Sequence, residues 1–115
     1  MKILFCNNTL YELINFRGAV IDYFHNQGHE VVLVASSIEI SNTETKIPPY
    51  ARFISTYLKR TSRNPFSDIA YMCQLLKIYR RERPDVIFHY TIKPNIYGTL
   101  AAKIAGIPSF AMIPG

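Results

Sequence analysis

The sequence contains no tryptophan, only two cysteines and only five glycines among 115 residues. Cys6 and Cys73 stand far apart in apolar surroundings, a spacing that fits neither a disulfide framework nor a metal site, so both read as buried free thiols. The scarce glycines leave no G-x-G-x-x-G, no Walker phrase and no Gly-x-Ser-x-Gly, which excludes an ordinary NAD enzyme, a P-loop nucleotidase and a nucleophile-elbow hydrolase. Paired carboxylates at acid/base spacing are absent too. No apolar run approaches the roughly 20 residues of a membrane-spanning helix. The opening run Met1 to Cys6 is cut off by Asn7 and Asn8 before it could form a signal-peptide core. A cytosolic protein is expected, and the Asn7-Asn8-Thr9 glycosylation phrase then carries no consequence.

Acidic residues are the other scarcity: 8 Asp and Glu against 13 Lys and Arg give a formal charge of +5. Lys59, Arg60, Arg63, Lys77, Arg80, Arg81 and Arg83 concentrate that charge in the middle of the chain. Such a patch suits a phosphate, a membrane surface or a nucleic acid. Lys77, Arg80, Arg81 and Arg83 also read as the solvated, dipole-favoured end of a helix. The basic residues lack interleaved aromatics and any nucleic-acid motif, so no nucleic-acid partner is expected. A composition of 49% hydrophobic and 18% charged residues is that of one globular domain over residues 1–115, with a core of its own but short of a two-lobed enzyme.

What is present is an alternation of apolar runs and amphipathic stretches. Residues 2–6 form a first buried strand, with Asn7-Asn8-Thr9 as the loop at its carboxyl end. Asn15-Phe16-Arg17-Gly18 opens a helix whose apolar face is Phe16, Ala19, Val20, Tyr23 and Phe24, and Gly28 stops it. Residues 30–35 run without alternation, as in a strand covered on both faces, and residues 36–50 read as an exposed loop. A third strand covers residues 52–58, followed by a basic turn. Residues 66–83 form a long helix with a stripe of Ile69, Met72, Cys73, Leu76 and Tyr79, widened by Leu75 and Ile78. Pro84 ends it, residues 85–92 make a fourth strand, Asn95 N-caps a third helix that Gly106 closes, and residues 109–113 begin a fifth strand. This order predicts an α/β fold: a Rossmann-like, doubly wound parallel sheet of about five strands with three helices. The chain stops at Pro114-Gly115, where a strand is ending and a functional loop would begin, so a longer protein or an assembly is expected.

In such sheets ligands bind beyond the carboxyl ends of the strands. The fourth strand delivers His89, Tyr90, Thr91, Lys93 and Asn95 to that edge, with His89 packed against the sheet and Tyr90 and Thr91 turned outward. His89 reads either as a satisfied structural histidine or as a catalyst. Pro94 stiffens the turn and holds Lys93 beside a helix start, where two sources of positive potential meet; alternatively Pro94 and Asn95 only start the helix and Lys93 is solvated. Arg17, at a helix start, fits either a phosphate partner or an ordinary surface position.

Lys2-Ile3-Leu4-Phe5, Asn15-Phe16-Arg17-Gly18, Gly28-His29-Glu30-Val31, Arg83-Pro84-Asp85-Val86-Ile87 and above all Tyr90-Thr91-Ile92-Lys93-Pro94-Asn95-Ile96-Tyr97-Gly98 resemble the amino-terminal half of family-four glycosyltransferases. The last phrase is the narrowest and resembles a bacterial branch acting on lipid-linked precursors of capsule, O-antigen or protein glycans. The resemblance implies one incomplete lobe of a GT-B fold, the acceptor lobe, with a donor-binding lobe elsewhere. It also implies a retaining, metal-independent transferase that moves a hexosyl or N-acetylhexosaminyl group from a nucleotide-sugar to a polyprenyl-diphosphate-linked glycan, without a further cofactor.

By matching position, Asn8, Arg17 and Gly18 would line the first loop of the cleft. His89, Tyr90, Thr91, Lys93 and Asn95 would stand at the fourth, and Lys59, Arg60 and Arg63 would face the acceptor diphosphate or the inner surface of the cell membrane. The implied location is cytoplasmic and peripheral to that membrane. The wider superfamily often carries a Thr-x-His-Gly-like phrase after the fifth strand, where this chain has Met112-Ile113-Pro114-Gly115, so no catalytic histidine is carried over. A non-catalytic subunit or anion-binding module completed by a separate donor lobe is the alternative.

Overall fold

Continuous β-branched and aliphatic runs favour strands buried on both faces, and here they form a sheet with helices on either side. The computed structural model describes residues 1–36, 47–56 and 65–112. In chain order these form β1 (Lys2–Thr9), α1 (Leu10–Asn26), β2 (Glu30–Ser36), β3 (Arg52–Thr56), α2 (Pro65–Glu82), β4 (Val86–Tyr90), a π-helical turn (Pro94–Gly98), α3 (Thr99–Ala105) and β5 (Ser109–Met112). The strands make one sheet in the order β3-β2-β1-β4-β5, every neighbouring pair parallel. The α/β, Rossmann-like, doubly wound architecture expected from the sequence is therefore present. The chain winds one way from β1 and then the other, so the crevice between β1 and β4 is the topological switch point of the sheet.

Alternation along the strands divides the core. Ile3, Phe5, Val31, Leu33 and Tyr90 pack with Leu10, Leu13 and Ile21 of α1 on one face. Leu4, Cys6, Val32, Val34 and Ile87 pack with Tyr71, Leu75, Ile78 and Tyr79 of α2 and with Ala101 and Ala102 of α3 on the other. The small Ala101 and Ala102 leave α3 little to insert between helix and sheet. Each fully buried Leu, Ile or Phe in these layers contributes roughly 1.5–3 kcal/mol by leaving water.

Several boundaries and faces differ from the sequence expectations. β1 runs on through Asn7 and Asn8 to Thr9, with an irregularity in its pairing to β2 between Cys6 and Thr9. Thr9 then caps α1 directly, its hydroxyl accepting from the N–H of Glu12 at 3.1 Å, so α1 starts at Leu10 and not at Asn15. The helix carries two apolar stripes. The buried one is Leu10, Leu13 and Ile21 with Ile14 and Phe24 beside it, whereas Phe16, Val20 and Tyr23 of the expected stripe are exposed. The inward face of α2 is likewise turned toward Tyr71, Leu75, Ile78 and Tyr79, leaving Ile69 and Cys73 exposed. The expectation that Cys73 is buried is thus corrected; Cys6 is buried. β3 is described to Thr56 and β5 to Met112, and the remainder of each expected strand lies outside the described residues. Gly28 and Gly106, at φ 90° and 74°, end α1 and α3 in the left-handed conformation that favours glycine.

The amino edge of the sheet is tied by ions. Glu82, almost wholly buried, meets Nζ of Lys2 at 3.3 Å, Arg52 at 3.2 Å and Nε of Arg81 at 3.5 Å, joining α2 to β1 and β3. Beside it the backbone N–H of Lys2 donates to the Asp85 carboxylate at 2.6 Å.

Candidate functional site

At the opposite, carboxyl edge the backbone leaves regular geometry. Thr91, directly after β4, adopts φ 70°, a conformation that is strained for a β-branched residue and that turns the chain toward the π-helical turn. Its carbonyl accepts from the N–H of Asn95 at 3.1 Å, and its hydroxyl is 3.4 Å from Oδ1 of Asn7, bridging the ends of β4 and β1. Asn7 Oδ1 also accepts from the N–H of Asn8 at 2.6 Å. The switch-point crevice is thus floored by Asn7, Asn8 and Thr91.

Arg17, one turn or more into α1 and not at its start, lays its guanidinium over the Tyr90 ring, with Cζ 4.5 Å from the centroid. Tyr90 is buried and does not turn outward as expected; it lies on the α1 face beneath Arg17. The buried Nε of Arg17 and Oδ1 of Asn8 have no hydrogen-bond partner among the described residues. A planar donor held by stacking, with an unused N–H, is suited to an oxyanion of a ligand. Gly18 lies beside Arg17 in α1, where an added Cβ would meet nothing within 4 Å.

On the other side of the edge, Nζ of Lys93 contacts Oδ1 of Asp68 at 3.0 Å, and the Tyr97 hydroxyl donates to Oδ2 of the same carboxylate at 3.0 Å. The Lys93 contact is the leading cause that holds the Asp68 carboxyl below its usual range, and the same carboxylate raises the Tyr97 phenol. Asn95 does not cap the third helix. It sits inside the π-helical turn, its Nδ2 donating to the Met112 carbonyl at 3.1 Å, while its Oδ1 is buried and unpartnered among the described residues.

A family model described as "Glycosyl transferase 4-like" matches residues 2–113. The chain belongs to the glycosyl transferase 4-like family. A search of curated proteins returns no match. Among solved structures, MurG of Acinetobacter baumannii aligns with a TM-score of 0.67 at 14% identity, covering 96% of this chain and 34% of that one. A UDP-N-acetylglucosamine 2-epimerase aligns with a TM-score of 0.75 at 13% identity, covering 97% and 31%. The glycotransferase of kitacinnamycin aligns with a TM-score of 0.69 at 19% identity, covering 96% and 29%. These similarities show the fold, that of a Rossmann-like lobe of the GT-B type. The chain spans about a third of the length of each of these three structures.

For this glycosyl transferase 4-like lobe, the structure brings Asn8, Arg17, Tyr90, Thr91, Lys93 and Asn95 to one sheet edge. His89 points away from that edge into the α2 face, fully enclosed, with Nε2 2.8 Å from the Tyr79 hydroxyl. Burial pushes its pKa down to about 4. Lys59, Arg60 and Arg63 lie outside the described residues. Sequence reasoning missed Asn7, Asp68, Tyr79 and Tyr97. Tyr97 stood within the quoted phrase, and Asp68 had the signal of a carboxylate in the first turn of a helix. Among the described residues no group of three or more His, Cys, Asp or Glu is placed to hold a metal ion, and no helix is long and apolar enough to cross a membrane.

Proposed function

We propose that this chain is the acceptor-binding lobe of a glycosyltransferase. In this reading the whole protein moves a hexosyl or N-acetylhexosaminyl group from a nucleotide-sugar, with retention and without a metal, to a polyprenyl-diphosphate-linked glycan destined for capsule, O-antigen or a related polysaccharide. The observation that carries it is the polar constellation at the carboxyl ends of β1 and β4 in a chain of the glycosyl transferase 4-like family: Arg17 stacked on Tyr90 with an unused Nε, and an unused Oδ1 on Asn8. Arg17 would take an acceptor phosphate oxygen, Asn8 and Thr91 would take sugar hydroxyls, and Asn95 and Lys93 would form the far wall. Sites where strands end at a reversal of strand order are where α/β sheets bind ligands.

The nucleotide-sugar would be held mainly by a second lobe, and chemistry would require both. Lys59, Arg60 and Arg63 would face the lipid diphosphate or the inner membrane surface, making the protein cytoplasmic and peripheral to that membrane.

The test is transfer from radiolabelled nucleotide-sugars to polyprenyl-diphosphate-linked acceptors by the full-length protein, with Arg17→Gln beside it. Loss of one charge-assisted contact predicts a fall of about tenfold or more in kcat/KM for the acceptor, with donor KM little changed. Turnover unaltered by Arg17→Gln would place the acceptor elsewhere, and an effect confined to the donor would reverse the assignment of the lobe.

A further inference from the structure

We propose that His89 is a positioning residue: clasped by Tyr79 and seated against Gly98, it sets the pitch of the π-helical turn and through it the placement of Lys93 and Asn95 at the sheet edge. The inference rests on the proposed function only where acceptor binding is its readout.

Gly98 has ordinary right-handed helical angles, φ −67° and ψ −39°, so the backbone does not require glycine there. Glycine inside a helix is unfavourable relative to alanine, and a packing reason is needed for it. The reason is His89. A Cβ on Gly98 would stand 2.3 Å from Cδ2 and 2.4 Å from Nε2 of the imidazole. The ring occupies the space that a side chain would take, at the point where the helix is wound wide, and such widened turns recur at functional sites.

The imidazole is also fixed in angle. Tyr79, near the carboxyl end of α2, bonds Nε2 at 2.8 Å, while Nδ1 is buried without a partner among the described residues. An aliphatic residue would fill the same volume without an orphaned polar atom, so the polar ring is kept despite a cost, and what it gains is the directional bond. A second grip lies at the amino end of α2, where Asp68 accepts from both Lys93 and Tyr97. The same helix therefore holds the turn from behind through Tyr79 and His89, and from the side through Asp68. Asn95 is suspended between these grips, its N–H on Thr91 and its Nδ2 on Met112. A shift of the turn would move it directly.

Tyr79→Phe keeps the ring and removes the hydroxyl, and it can be tested in the full-length protein by amide hydrogen exchange. Losing one buried hydrogen bond predicts exchange about tenfold faster at residues 95–98, with β1 and β2 unchanged, and a higher acceptor KM at nearly constant kcat. No change at 95–98, or an equal rise throughout the sheet, would overturn the proposal.

A second arm uses thermal melting. His89→Ser should lower the melting temperature in the unaltered protein but raise it in Gly98→Ala, because it makes room for the added methyl. Lowering in both backgrounds would also overturn it. If exchange rises locally while the unaltered protein transfers no sugar at all, the positioning role stands and the transferase reading falls.

Discussion

The hydroxyl of Tyr79 and Nε2 of His89 share a hydrogen bond of 2.8 Å in a space closed to water. Burial holds the imidazole at a pKa of about 4, against 6.5 in an unfolded chain. Its neighbours Cys6, Tyr71 and Tyr79 are themselves pushed upward, chiefly by burial, and stay neutral across this range. Unfolding therefore takes up a proton between these two values. The stabilisation is fully present above pH 6.5 and declines as pH falls toward 4, with a slope approaching about 1.4 kcal/mol per pH unit. Urea unfolding of the protein and of His89→Gln across pH 4.5–7.5, a range chosen to span roughly that window, checks this: the variant should lose most of the slope.

Glu82 should matter more for stability than any other carboxylate at the amino edge. It is buried, yet its partners Arg52 and Arg81 are more than half exposed, so the lost interaction is moderated by solvent. Glu82→Gln keeps the shape and removes the charge shared by Lys2, Arg52 and Arg81, and should cost about 2 kcal/mol in denaturant unfolding. A value near zero would show that the three cations are as well served by water.

Arg17 and Tyr90 should be coupled. A guanidinium 4.5 Å from a ring centroid at a partly exposed position contributes about 0.5–1 kcal/mol. A double-mutant cycle of Arg17→Ala and Tyr90→Leu on unfolding free energy should return a coupling of that size. Arg17→Lys should recover less than half of it, because the planar stacking surface is gone.

The thiols should separate cleanly. Cys73 is exposed, whereas Cys6 is buried between β1 and α2, and burial raises its pKa to about 11. Ellman's reagent should titrate one thiol in the native protein and two in guanidinium, and Cys73→Ser should abolish the native reaction.

Lys93 and Asp68 should behave as a unit. In acceptor turnover, Lys93→Ala and Asp68→Asn are expected to have similar effects, and the double variant should be no worse than the more damaging single one. Additive losses would indicate that each residue meets the acceptor independently.

The alternation of elements was legible because β1, β2 and β4 carry continuous apolar runs and the helices are followed by Gly or Pro. The facing of the helices was less so. In α1, Phe16, Val20 and Tyr23 fall at helical spacing, as do Leu10, Leu13 and Ile21, and periodicity cannot choose between two apolar stripes on one cylinder. What chooses is the entry point: Thr9 caps the helix straight from β1, which rotates Leu10 and Leu13 inward. At the edge, the residues after β4 were recognisable by chemistry, but their partners Asp68 and Tyr79 come from α2, distant in sequence. The π-helical turn had no local sign, since its cause is the histidine that Gly98 accommodates.

The ionic tie at the amino edge bears on how such a lobe can diversify. Glu82 binds the starts of β1 and β3 to the end of α2 with charges that no ligand at the far edge need touch. The foundation of the sheet and its recognition surface draw on separate sets of side chains. Substitutions at Asn8, Arg17 or Asn95 leave that ionic tie untouched, so the starts of β1 and β3 stay joined to α2 while the far edge varies.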